Sequence, residues 1–354
     1  MRFRRIACFA VLHTALSLPW SASAEQPAGA SPNVPSNFAE SGIARANYYR
    51  AMAKIPPLTE DARMSAGAFN HARYLVKHGI ADGDIVLSKG QMHVQIPQDA
   101  SKWEDKGRSF YSDEGAAAGR NAIVVTAKQI DLGGGEFVDR LMEMPFSGLM
   151  TMVPQFSRLG VGAYCEPGQC AIVIPFRYAL EKPVRIALYD GPESDRLWNP
   201  GLGPIPAERG RLRTPVEFPP DGSVVDLQSY RGGDLPDPLT ACPGFTAPTG
   251  IPVALQLGEG YGADGSLQVT EHSLSRDGVD LDNCSITAAS YRGPNDIQTE
   301  IGKTGLKRTG AAIMLPRQPL SPGHYKVALT EDSKRYEWSF TVATLKSDDA
   351  KSQK

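Results

Sequence analysis

The sequence predicts an α+β chain of two domains, a three-layer α-β-α sandwich followed by an all-β immunoglobulin-like sandwich. Three observations predict it. Helical and strand patterns alternate through the first half and end in a tight antiparallel hairpin. A stretch dense in Pro and Gly then interrupts them. Beyond it, about seven short strands recur between turns with no helical period, which is the spacing of an immunoglobulin-like sandwich. At 354 residues the chain is long for one ordinary domain and comfortable for two.

The opening residues bear on destination. Arg2, Arg4 and Arg5 precede "ACFAVLHTALSLPW", an apolar core too short to span a bilayer, and Ala22 and Ala24 form an A-x-A cleavage signal. Residues 1–24 therefore read as a signal peptide cleaved after Ala24, which implies a secreted or periplasmic protein. No later stretch reads as a transmembrane segment. Without the three arginines, 34 basic residues face 39 acidic ones, a net charge of −5. That balance speaks against nucleic acid, which needs a concentrated basic face. The one basic cluster, "RGRLR" at 209–213, reads as solvated linker.

Residues 25–38, rich in Pro, Ala and Ser, read as a disordered leader to a domain spanning 39–185. "ESGIARANYYRAMAKI" has a helical pattern that stops at Pro56-Pro57. A second helix starts with Thr59 as N-cap and ends at Gly79, with Met64, Ala68, His71 and Leu75 on one stripe, so that His71 reads as a core histidine. "NAIVVTAK" reads as a buried strand, and "GGGEFVDRLMEM" as a helix that places Phe137, Leu141 and Met144 on one face. A broken segment and a hairpin at 159–176 follow. Residues 186–215 read as a Pro/Gly linker, 216–343 as the β-sandwich and 344–354 as a charged tail.

Four of the five cysteines lie beyond the signal peptide, an even number suited to an oxidising compartment. Cys165 and Cys170 flank the turn "EPGQ" and are placed to bridge the hairpin. Cys242 and Cys284 form the second predicted pair, closing a loop of some forty residues.

The common enzyme signatures are missing from the sequence. There is no H-E-x-x-H and no G-x-S-x-G. "GGGEFV" carries Val138 where a dinucleotide loop has its third glycine, and no Walker lysine follows. "RDGVDLDN" lacks the alternating ligands and closing glutamate of a calcium loop.

Four stretches in the first half resemble a known family: "NYYRAMAKIPPLTED", "MSAGAFNHARYLVKHG", "YSDEGAAAGRNAIVV" and "FVDRLMEMPFSGLMTMVPQFSRLGVGAYC". Together they look like a CAP domain, that of the cysteine-rich secretory, antigen 5 and pathogenesis-related proteins. The phrases "FPPDG", "RGGDLPDP" and "LSPGHYKVAL" are similar to the C-terminal sandwich that bacterial secreted versions append. The resemblance implies a cleft with two histidines and two glutamates, which in some members bind a divalent metal. Of those four positions only the first keeps its residue, as His93. The others fall at Arg120, Met144 and Ser147. A thioether is a poor ligand for zinc or calcium, a guanidinium repels a cation, and one histidine cannot hold a zinc site. Neither a metal nor a cofactor is expected.

The sequence therefore reads as a non-catalytic binding or adhesion module of the cell envelope or exterior, with a degenerate cleft near His93, Glu114, Arg120 and Ser147. Arg120 favours an anionic group, and the resemblance admits a lipid or an anionic glycan as ligand. Two alternatives stand beside it. One is a hydrolase of envelope peptide or glycan using His93 and Glu114 as acid and base. The other is a purely structural envelope protein.

Overall fold

The computed structural model describes residues 34–80, 104–120, 122–178, 211–258 and 267–343. The first region is built on a five-stranded sheet. Its central strand is β5 (Gln169–Tyr178). β2 (Ala122–Ala127) pairs antiparallel along one edge, and β4 (Gly162–Glu166) and β3 (Phe156–Leu159) follow one another along the other. The short β1 (Thr59–Glu60) adds in parallel to β3.

Strand geometry sends successive side chains to opposite faces. Ala171 and Val173 accordingly pack with α2 (Ala62–Lys77) through Ala68, Ala72 and Leu75. Ile172 and Ile174 join the other core, with Tyr49 of α1 (Phe38–Met52), Leu141 of α4 (Gly134–Met142) and Leu149 of α5 (Pro145–Thr151). Helices thus cover both faces of the sheet. The hairpin glycine Gly162 permits the closest approach, since a Cβ there would overlap the backbone of Ala68 and Phe69.

Two polar side chains of α1 explain the opening motif. Asn47 accepts from Leu58 N at 2.7 Å and donates to Leu58 O at 2.8 Å. Arg50 is fully buried and donates to the carbonyls of Pro56, Thr151, Val153 and Phe156 at 2.8–2.9 Å. Burial without an acid lowers its pKa to about 10. Four carbonyl dipoles stand where a counter-ion otherwise would. Arg50 therefore ties the "IPPL" turn to the residues that lead from α5 into β3.

The second region has two larger sheets. One runs β13 (Asn283–Ile286), β14 (Ala311–Pro316), β10 (Val253–Gly258), β6 (Arg211–Phe218). The other runs β12 (Val279–Asp280), β11 (Val269–Arg276), β15 (Gly323–Glu331), β16 (Lys334–Val342), β7 (Ser223–Val225), parallel only at its last pair. A small ribbon joins β8 (Ser229–Tyr230) to β9 (Thr249–Gly250). Both predicted disulfides form, Cys165–Cys170 across the β4–β5 turn and Cys242–Cys284 onto β13.

Four local readings are corrected. Asp61, not Thr59, caps α2, accepting from Arg63 N and Met64 N, because Thr59 is engaged in β1. The broken segment after α4 is a helix, α5, with Pro145 at its start. β6 begins at Arg211, inside the stretch read as linker and as the solvated "RGRLR" cluster. The second region also contains a helix, α6 (Asp296–Thr309), capped by Asn295 and stopped by Gly310 at φ +53.

The two regions share one apolar core. Tyr49 meets Phe218 edge to face, with ring centroids 6.1 Å apart, and Phe146 meets Tyr291 at 5.3 Å. Gln256 donates to Leu149 O, and Arg45 reaches both Asp139 and, at 3.5 Å, Asp226.

Candidate functional site

The junction between α4 and α5 carries two of the predicted cleft positions. Met144 is the N-cap residue of α5 and is 3% exposed within the shared core. Ser147 lies in the first turn of α5 and is buried. Its hydroxyl donates to Asp234 Oδ1 at 2.8 Å, and Phe146 N donates to the other oxygen of that carboxylate. Asp234 belongs to the loop after β8, in "RGGDLPDP". The C-terminal region therefore supplies the cap for α5 and seals the position of Ser147.

Asp234 is itself held on all sides. Its backbone N–H donates to the Tyr230 hydroxyl at 3.2 Å, and Leu235 N donates to its carboxylate at 3.1 Å. Full burial raises its pKa to about 7 against the opposing pull of these donors. The neighbouring Glu143 turns away from Met144. It accepts from Arg140 at 2.7 Å and lies in the field of Arg231 from the same loop. Burial raises its pKa too.

The remaining predicted residues are separated. Glu114 is the second residue and Arg120 the last of α3 (Asp113–Arg120). Six residues along a helix amount to about 9 Å of rise and roughly 240° of turn, so the two do not share a face. Asp113, at the start of the same helix, has its pKa lowered first by the hydrogen bond from the Tyr111 hydroxyl and then by the charges of Lys106 and, least, Arg120. Glu114 is exposed and borders an open groove of about 660 Å3, lined also by Glu60, Asp61, Arg63 and Arg158 over a floor that includes Phe176. Asp61 and Arg158 pair across it at 3.3 Å. His93 lies outside the described residues. Ser147 and Glu114 thus belong to different places, the first interior and the second on the rim of a groove.

One buried polar pair was not anticipated as a pair. His71 Nδ1 lies 3.0 Å from Glu104 Oε1, with both side chains fully buried, and Ser112 N donates to Glu104 Oε2 at 2.8 Å. α3 passes so close that a Cβ on Gly119 would overlap the His71 ring. The pair fastens residues 104–112 to α2. His71 was legible as a core histidine, whereas nothing in the sequence marked Glu104 as its partner. Among the described residues, no three His, Cys, Asp or Glu side chains form a group suited to a metal ion.

Comparisons with known proteins bear on the first region. Residues 43–176 match the model of CAP, the cysteine-rich secretory protein family. No curated protein matches. A solved structure of selenomethionine PcoC, a copper resistance protein from Escherichia coli, matches at 14% identity over 38% of this chain and 100% of that chain. Its TM-score is 0.20, too low to carry an argument about fold. No helix among the described residues is long and apolar enough to cross a membrane. The family match begins within α1 and ends within β5, so it contains Asn47 and Arg50, the α4–α5 junction and the disulfide hairpin, and over that stretch, residues 43–176, the chain is similar to the CAP family.

Proposed function

We propose that the chain is an exported, non-catalytic CAP-domain protein that serves as a binding or adhesion module in the envelope or outside the cell. Residues 1–24 act as its signal peptide in this reading, and the two disulfides fit an oxidising destination. The observation that supports the non-catalytic role is the Ser147–Asp234 contact. A position that the family resemblance assigns to a metal-ligating histidine holds a hydroxyl already committed to a buried carboxylate from the C-terminal region. Met144 beside it is a core side chain. Substrate reaching this junction would have to displace Asp234 and the Phe146–Tyr291 contact.

The test is calorimetric titration of the purified mature chain with zinc and with calcium. The expected result is no stoichiometric binding of either ion. Saturable zinc binding at one ion per chain would overturn the reading. So would turnover of peptidoglycan that Glu114→Gln abolishes, which would establish the hydrolase instead.

A further inference from the structure

The C-terminal half of α2 carries a surface that the cleft positions do not explain. Phe69, Arg73 and Lys77 succeed one another at four-residue spacing and so lie along one side of the helix. Phe69 packs edge to face with Tyr164 at 5.7 Å. Phe110 reaches the same side from the loop before α3, with 39% of its surface exposed. The Arg73 guanidinium lies 4.5 Å from the centre of the Phe110 ring, and Lys77 Nζ lies 5.6 Å from it.

Two features separate this surface from an ordinary solvated helix face. Phe110 has φ +64, a left-handed backbone that bulky side chains rarely adopt. Its neighbour Ser109 is held there by His78, whose Nε2 donates to Ser109 O at 2.8 Å. The fold thus keeps an aromatic ring at the surface in a conformation its own backbone resists. The second feature is Arg73. It is half-buried, and among the described residues its guanidinium makes no hydrogen bond or ion pair. The nearby acids are already engaged: Glu166 with Lys77, Asp105 with Arg108 and Asp113 with Lys106. Stacking on a ring fixes a guanidinium plane while leaving its N–H edges free, which suits two-point binding of a carboxylate.

We propose that this face is a binding site for a carboxylated glycan, with Arg73 gripping a uronic-acid carboxylate and Phe110 and Tyr164 packing against sugar rings. The inference rests on the reading of the protein as a binding module and gives that module a ligand class and a location. It lies roughly 15 Å along α2 from the groove beside Met64, at 1.5 Å per residue.

The experiment is calorimetric titration of the purified full chain with oligogalacturonate at low salt. Neutral oligogalactose, hexaglutamate, oligo(dT) and phosphatidylglycerol vesicles are run as separate arms. Binding of the oligogalacturonate is expected, with the other arms weaker by about tenfold or more. Arg73→Gln and Phe110→Asn should each weaken it by about tenfold, the loss expected for one charge-assisted or stacking anchor. Asn accepts the left-handed backbone, so Phe110→Asn removes the ring without threatening the fold. Arg335→Gln, a charge change on the distant β16, should leave affinity unchanged. No binding by the parent chain at millimolar ligand, or unchanged affinity in both α2-face variants, would overturn the site. Equal binding of hexaglutamate, oligo(dT) or vesicles would overturn the glycan assignment. None of these failures touches the zinc result, so the two readings fail separately.

Discussion

Asp234→Ala is the most informative perturbation of the junction. The carboxylate accepts from two groups of the first region, Phe146 N and Ser147 Oγ, both of them buried. Alanine leaves these donors without an acceptor, at about 1–3 kcal/mol each, so the loss should be roughly 2–6 kcal/mol. For a protein of this size, with an unfolding entropy of about 0.7 kcal/mol/K, that corresponds to a melting shift of about 3–9 °C. Differential scanning calorimetry reads both the shift and its shape. The parent chain should melt in one transition, since one core spans both regions. The variant should melt earlier, with the transition broadened or split. The pH dependence adds a second signature. Burial raises the folded pKa of Asp234 to about 7 from the ordinary 3.8, so the neutral form is favoured in the folded state. Its stabilising contribution is full below about 3.8 and is lost as pH rises through 7. The parent should therefore melt higher at pH 6 than at pH 8. Asp234→Asn, uncharged throughout, should lack that difference. If Asp234→Ala melts within about 1 °C of the parent at both pH values, Asp234 does not join the regions and the sealed-junction argument fails.

Other perturbations test the remaining supports. Serine at both Cys242 and Cys284 opens a 42-residue separation and should cost about 4 kcal/mol in denaturant unfolding, against about 2 kcal/mol for the same change at Cys165 and Cys170. Arg50→Lys keeps the charge but cannot reach four carbonyls with a planar fork, so a loss of about 2–3 kcal/mol is expected. Glu104→Ala strips the buried His71 of its carboxylate and should destabilise by about 3–5 kcal/mol, with amide exchange accelerated first at residues 104–112.

The elements with strong local signals were legible in the sequence. The hairpin carries its turn and its two cysteines within six residues, and the apolar stripe of α2 holds Ala68, His71 and Leu75 in the core despite Gly67 within the helix. The cap of α2 was misplaced by two residues because Thr59 and Asp61 are both good caps, and only the pairing of β1 with β3 decides between them. α6 was missed because Gly302 and Gly305 weaken its pattern, and its stability comes from packing on β10 and β14. At the candidate site, Met144 is buried as expected but not through the helical stripe it was read on, since α4 stops at Met142 and Met144 is extended at the N-cap of α5. The partner of Ser147 was not legible, since Asp234 is 87 residues away and no periodicity links the two. Glu104 was hidden for the same reason, 33 residues from His71.

The shared core also limits how the molecule can be taken apart. Cutting between β5 and β6 would expose Tyr49, Phe146 and Leu149 to water on one fragment, and Phe218 and Tyr291 on the other. Each piece would carry a sticky apolar scar and a severed polar cap, and should aggregate when produced alone. The smallest fragment worth expressing for crystallisation or ligand screening therefore reaches from α1 to the end of β16.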